Sequence, residues 1–259
     1  MSTDRFVSVT ILVGATDEEA SLEKTVDYVM EHCRREDLST LRIVYPKNAA
    51  ADCLRTITKL EERYPDRVKG LRQRRPSIGG AMKDGFDAAD GSHVMLLPGD
   101  LAVDLSAVPK LIAAAKDTPA DVIKISRWLQ KDSFHDYPRV KKSLNASAQR
   151  FLRVLYGSKL TDFTCPVQIM PRDLCVSMRL REMAFPSLLE IVLCPLRLGV
   201  NIREIPAQSY ERQEGRSKNS AVKTAMYLNP ALRIRFTPRK KLLRAAPGEK
   251  RSDPAEKES

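Results

Sequence analysis

From residue 6 to residue 125 the sequence alternates between short apolar, β-branched runs and longer stretches with apolar residues three or four apart. The runs at 6–13, 41–45, 68–71, 93–97 and 121–125 read as buried strands. Between them, Leu22, Val26 and Val29 mark one face of a helix reaching about residue 35. Leu54, Ile57 and Leu60 mark a second over 49–64, and residues 106–116 form another. Parallel strands need crossover segments of this length, so the rhythm predicts an α/β fold: a mostly parallel, Rossmann-like sheet with helices on both faces.

The stretch 75–104 adds chemistry to that frame. Gly79 and Gly80 predict a tight glycine loop before a helix. Ala81, Gly85 and Ala89 recur every fourth residue, which gives that helix a small-residue face to lay on a sheet, and Gly91 is expected to end it. Asp100 then follows the apolar run 93–97, at a strand's carboxyl end, where open α/β sheets bind ligands. The plain alternative is an exposed turn aspartate.

Composition narrows the partners. The net charge of +11 and pI near 9.5 favour anionic ones: phosphates or an acidic membrane surface. The basic residues are spread through the chain without an aromatic-rich RNA-binding pattern, so nucleic acid is not expected. Five scattered cysteines without a C-x-x-C pair suggest neither a zinc site nor a disulfide framework, and fit a reduced, cytoplasmic setting. The first residues carry no signal-peptide pattern, and the most apolar stretch, 188–198, is broken by Glu190, Pro195 and Arg197. Any membrane contact is expected to be peripheral, on the inner face.

After residue 126 the rhythm loosens. Residues 128–138 read as a loop, 139–156 as a long helix, 161–170 as extended, 185–198 as an apolar helix, 201–205 as a strand and 221–227 as a helix. Residues 211–220 read as a charged, glycine-containing loop. The expected organisation is one domain over 1–237, with a first half to about 126 and a second from 127, then a basic, mostly disordered tail over 238–259.

Seven segments, in order, resemble family-2 glycosyltransferases, and most of all the polyprenyl-phosphate (dolichol-phosphate mannose synthase-like) branch. Gly14-Ala-Thr-Asp-Glu-Glu-Ala-Ser-Leu22 looks like P-A-Y-N-E-E-x-S-L. Gly79-Gly-Ala-Met-Lys-Asp-Gly85, with Ala89 and Gly91, looks like G-x-A-x-x-x-G…A-x-G. Ser126-Arg127 sits where the family has G-S-R, and Arg139 with Ser143 matches R-x-x-x-S. Asp162-Phe-Thr-Cys-Pro166 stands in for D-x-T-S-G, Glu204-Ile-Pro206 for E-V-P, and Arg212-Gln-Glu-Gly-Arg-Ser-Lys218 for R-x-x-G-x-S-K.

The resemblance implies a glycosyltransferase A-type fold, a nucleotide-diphosphate sugar as donor and a polyprenyl phosphate or other anionic acceptor. It implies donor contacts from Ala15, Asp17, Glu18, Lys47, Gly79, Lys83 and Asp100. It places Arg127, Arg139, Ser143, Arg212, Ser217 and Lys218 at the acceptor phosphate, with Asp100, Arg127, Arg212 and Lys218 as the catalytic set. An anionic acceptor oxygen needs no strong base, so the work is charge neutralisation, for which Arg and Lys are suited.

Two departures bear on this. Where the family has D-D-G-S, the chain reads Tyr45-Pro-Lys-Asn48, and where it has D-x-D-x-Q, it reads Pro98-Gly-Asp-Leu-Ala102. Only Asp100 survives of the metal motif, with Asp104 two residues beyond the third position. Three outcomes stay open: Mg²⁺ or Mn²⁺ held loosely by Asp100 and Asp104, a cation such as Lys47 in place of the ion, or no transfer at all, the chain serving as a binding or partner subunit.

Overall fold

A computed structural model of the chain describes residues 5–135, 139–210, 214 and 225–244, with the side chains of 139–141 and 225 excepted. The five apolar runs are strands β1 (Val9–Gly14), β2 (Leu38–Tyr45), β3 (Val68–Arg72), β4 (His93–Pro98) and β5 (Val122–Ser126). β1 starts later than its apolar run because Val7 and Ser8 give their N–H groups to the Ser92 hydroxyl instead of a neighbouring strand. The helices between them are α1 (Ala20–His32), α2 (Ala51–Arg63), α3 (Ser77–Ala88) and α4 (Ala107–Asp117). The second half contributes α5 (Arg139–Tyr156), β6 (Gln168–Pro171), α6 (Arg172–Ser177), α7 (Ser187–Leu198), β7 (Ile202–Pro206) and α8 (Ala225–Phe236).

These strands form one seven-stranded sheet in the order β3-β2-β1-β4-β6-β5-β7. Every pairing is parallel except those of β6, which runs antiparallel to both β4 and β5. Alternate side chains of each strand feed two cores. Ile11, Ile43, Met95 and Ile123 face Val26, Leu60 and Leu111 on one side. Leu12, Val94 and Leu96 face Phe86, Leu193 and Ile234 on the other. The fold class is thus the α/β, mostly parallel architecture expected.

Several local expectations need correction. Gly79 and Gly80 lie inside α3, not in a loop before it. A Cβ on Gly79 would meet the Glu182 carbonyl oxygen at 2.5 Å, and one on Gly80 the Arg75 carbonyl oxygen at 2.5 Å, so both glycines serve close backbone approach. Gly91 does not cap α3 either, since Ala89 takes that place in extended conformation. A Cβ on Gly91 would lie 2.8 Å from the Thr10 backbone nitrogen, so its smallness seats the chain against β1.

The small face of α3 behaves as read: Gly85 is covered by Leu12 of β1, and Ala89 is buried. The last helix runs through Pro230 to Phe236, because Ala231 and Ile234 are buried in the core beside α7 and hold it there. Residues 238–244, the first part of the expected tail, are packed against the fold. Leu242 is buried, Arg179 donates its N–H to the Leu242 carbonyl at 2.8 Å, and Arg244 donates its N–H to the Ser177 carbonyl at 2.7 Å.

Candidate active site at the strand carboxyl ends

Three parallel strands deliver their following turns to one edge of the sheet. β1 pairs Gly14 with Val44 on one side and with Pro98 on the other, so the turns at 15–18, 46–48 and 99–102 start level with one another. Ala15 is buried and donates its N–H to the Val44 carbonyl at 3.0 Å, and Ala50 donates to the Thr16 carbonyl at 2.8 Å. The Lys47 turn is thereby fastened to the β1–α1 loop. Glu18 is buried and folds back on that loop, accepting from the Thr16 N–H at 2.6 Å and the Asp17 N–H at 3.1 Å. It orders the loop, while Asp17 and Lys47 are the exposed charges there.

Neither Thr16 nor Asp17 caps α1, whose N-cap residue is Glu19. The carboxylate of Glu214, far along the chain, accepts from the N–H groups of Glu19 at 2.8 Å, Ala20 at 3.2 Å and Ser21 at 3.1 Å, and from the Ser21 hydroxyl at 2.9 Å. A carboxylate on exposed helix N–H groups is favourable for both hydrogen bonding and dipole. Those contacts hold the Glu214 carboxyl below its ordinary range although burial opposes it.

Asp100 is buried just past β4 and accepts the Ala102 N–H at 3.1 Å, with Leu101 in the left-handed region at φ 56°. A bulky residue rarely adopts that conformation. The turn is held from the second half of the chain: Tyr210 donates its N–H to the Ala102 carbonyl at 3.0 Å, and Asp104 donates to the Gln208 carbonyl at 3.1 Å. Ser209 N–H reaches the Ser133 carbonyl at 2.7 Å, and His135 N–H reaches the Ser209 carbonyl at 3.0 Å. The aspartate turn, the loop after β5 and the chain after β7 therefore meet at one place.

Beneath that junction lies a buried polar knot. Arg127 lays two nitrogens on the Asp162 carboxylate, Nε at 2.7 Å and Nη2 at 3.0 Å, and Nη2 also reaches the Thr164 hydroxyl at 2.9 Å. Lys124, on β5 and fully buried, donates to the Ile125 carbonyl at 3.1 Å and to the Asp162 carbonyl. Burial opposes charge on Asp162, yet Arg127 and Lys124 beside it hold its carboxyl well below the usual carboxylate range. Glu204 accepts from the N–H groups of Thr161 at 2.7 Å and Asp162 at 2.8 Å. Gln149 of α5 accepts from the Phe163 N–H at 2.7 Å and donates to the Thr164 hydroxyl at 3.0 Å.

The residues singled out from sequence thus divide. Ala15, Asp17, Glu18, Lys47 and Asp100 share the strand-end edge. Gly79 and Lys83 lie on α3, which follows the carboxyl end of β3: Gly79 donates its N–H to the Met183 carbonyl at 2.7 Å, and the Lys83 ammonium is buried against the Met183 sulfur at 3.1 Å. Burial pushes the Lys83 pKa down. The Nε and Nη2 atoms of Arg127 rest on Asp162 and Thr164. Both oxygens of Asp104 accept from Ser106 in the turn before α4, at 2.9 Å from the N–H and 2.7 Å from the hydroxyl. Ser143 is exposed on α5, while the Arg139 side chain and all of Arg212, Ser217 and Lys218 lie outside the described residues.

Among the described residues no three His, Cys, Asp or Glu side chains gather as a metal site, and no helix is long and apolar enough to cross a membrane. Sequence reasoning missed Lys124 and Gln149. The one signal for Lys124 was a lysine inside an otherwise apolar strand.

The sheet order and the strand-end turns define a mostly parallel α/β fold with one edge open to a ligand. Residues 10–179 match the model of glycosyl transferase family 2, and the chain belongs to that family. Glycosyltransferase AglD of Haloferax volcanii is 23% identical over 175 residues, which is 67% of this chain and 28% of that protein. The chain therefore spans little more than a quarter of that relative's length. Among solved structures, Mycobacterium tuberculosis glucosyl-3-phosphoglycerate synthase with phosphoglyceric acid superposes with a TM-score of 0.70 at 15% identity, over 90% of this chain and 81% of that one. The same enzyme with Mn²⁺, UDP and phosphoglyceric acid gives 0.67 at 14% identity, over 90% and 80%. At such identities the likeness is one of fold.

Proposed function

We propose that the chain moves a sugar from a nucleotide-diphosphate sugar to a phosphate-bearing acceptor of the polyprenyl-phosphate type, presented at an anionic membrane surface. The observation that carries this reading is the junction at Asp100, where the donor-side turns of β1, β2 and β4 meet the second-half segments at 133–135 and 208–210. In the step, an acceptor phosphate oxygen forms the new bond to the sugar's anomeric carbon. The bond from that carbon to the donor diphosphate breaks, and the nucleoside diphosphate leaves. The acceptor oxygen is already anionic, so no strong base is required. Ala15 and Asp17 border the donor, and Lys47 offers positive charge where relatives carry acids. Arg139, Ser143, Arg212, Ser217 and Lys218 are assigned to the acceptor phosphate by their motifs. The mycobacterial neighbour, bound to phosphoglyceric acid, supports an anionic acceptor in this fold.

A divalent ion fits only in a reduced form. Asp100 is the one carboxylate of the motif, and Mg²⁺ is often held by one or two carboxylates plus substrate phosphates. Bound there, the ion would offset charge on the diphosphate. A second reading, a partner subunit that binds without transferring, is favoured by Pro98 and Ala102 standing within the stretch that resembles the metal motif, and by both Asp104 oxygens being taken up by Ser106.

The test is turnover against Mg²⁺ and Mn²⁺ concentration, with a chelator control, alongside thermal shift with a panel of nucleotide sugars. Activity with weak metal dependence is expected, together with its loss in Asp100→Ala and in Arg212→Ala or Lys218→Ala, all still folded. Stabilisation by a nucleotide sugar without turnover favours the partner subunit. Full activity in Asp100→Ala removes this edge as the site.

A further inference from the structure

Helices α5 and α8 are joined near their carboxyl ends, where Arg235 Nε reaches the Leu155 carbonyl at 2.8 Å and the Tyr156 hydroxyl reaches the Ala231 carbonyl at 2.7 Å. Both turn apolar side chains outward. On α5 these are Leu144, Phe151 and Val154, the last 78% exposed, and on α8 they are Leu228, Leu232 and Phe236, the last 73% exposed. The spacings explain it: 144, 151 and 154 fall on one side of a 3.6-residue helix, and 228, 232 and 236 recur every fourth residue. α8 is apolar on its other side too, with Ala231 and Ile234 buried.

The charged residues of the two helices and of the segment after α8 have a single sign. α5 carries five basic residues and no acidic one, and residues 225–244 carry six and none. Part of that charge serves the interior: Arg233 reaches Glu182 and Glu190, both at 3.0 Å, and Arg244 faces Asp87 at 3.5 Å. Arg150, Arg153, Arg239 and Lys241 are exposed. Exposed apolar side chains among cations, with no carboxylate between them, match the two layers of an anionic lipid surface: acyl chains for the former and headgroups for the latter. Nucleic acid would use the cations but leave the aliphatic side chains unexplained.

We propose that the α5–α8 face docks on an anionic phospholipid membrane, with Phe151, Val154 and Phe236 entering the headgroup boundary and the basic residues holding lipid phosphates. This names the surface that the acceptor reading calls for, and its test is separate from transfer. Full-length protein is sedimented with vesicles of phosphatidylcholine alone and of phosphatidylcholine with 30% phosphatidylglycerol, at low and high salt. The comparison protein carries Val154→Asp and Phe236→Asp, both at exposed positions, and its fold is checked by circular dichroism and thermal melting.

Binding to the anionic vesicles alone, weakened by salt and reduced at least tenfold in the double variant, is the expected result. Equal binding by the double variant overturns the proposal, as does equal binding to neutral vesicles. A dimer of the wild type that the double variant dissociates, without vesicle binding, assigns the face to a second copy of the chain and also overturns it. So does binding to an RNA homopolymer with no vesicle binding. Nucleotide-sugar thermal shifts report on the transfer reading independently, so that reading and this one fail separately.

Discussion

Asp162 anchors the buried polar knot. Its carboxylate is fully buried, and it takes the Arg127 fork, the N–H groups of Thr164 and Cys165 at 3.0 Å each, and the field of Lys124. Breaking a buried pair from one side leaves the other charge uncompensated, at a cost of about 3–5 kcal/mol. Asp162→Asn is therefore expected to lower unfolding free energy by about that amount, against a smaller loss for Thr164→Val, whose hydroxyl is a neutral partner. Urea unfolding checks it; equal losses in the two variants would show that the pair is not what holds the knot. Sequence carried Asp162 and Arg127 as motif positions, but not that they meet. Their contact spans 35 residues, and side-chain pairing at that range leaves no periodic trace. The same holds for Gln149, which looks like any polar residue on a surface helix until Phe163 and Thr164 are seen against it.

Elements were more legible than contacts, because strand and helix periods are local. The stripe Ala81–Gly85–Ala89 announced a helix packed close to a sheet, and α3 does lie there, with Leu12 Cδ1 2.5 Å from where a Gly85 Cβ would stand. Gly85→Ala is accordingly expected to cost about 1–3 kcal/mol by overpacking, since the Leu12 side chain has to turn aside. Gly79→Ala is expected to cost more, because the obstruction is the backbone at Glu182 and Met183, which has no rotamer to change. Thermal melts of the two variants decide the order; a neutral Gly79→Ala would show that the α3–182/183 approach is looser than drawn. Helix ends were the weak point of the sequence reading. The glycines of α3 act through smallness rather than positive φ, and α8 continues past Pro230 because its tertiary contacts outweigh the local penalty.

At the scale of the whole molecule, Glu214 ties the R-x-x-G-x-S-K segment to the start of α1. Glu214 belongs to the R-x-x-G-x-S-K segment, yet its carboxylate closes the amino end of α1, directly after the loop that holds Ala15, Asp17 and Glu18. Losing a side-chain cap costs a helix about 0.5–2 kcal/mol. Glu214→Ala is expected to lose about that much stability, and Glu214→Gln less, since an amide oxygen still accepts N–H bonds without the favourable charge. The pH dependence has a definite sign. The Glu214 pKa is lowered in the folded chain, so its contribution is fully present above the ordinary value of 4.5 and is lost as pH falls through the folded value. Wild type should lose stability faster than Glu214→Gln as pH is taken from 6 to 3, roughly the range over which a lowered carboxylate titrates. If the contact also sets the loop before α1, Glu214→Ala raises KM for the nucleotide sugar, while a control at an exposed α2 position, Glu62→Ala, leaves it unchanged. A stability loss with no change in donor KM would make Glu214 a helix cap alone. Parallel pH curves for wild type and Glu214→Gln would show that its charge does not hold the two segments together.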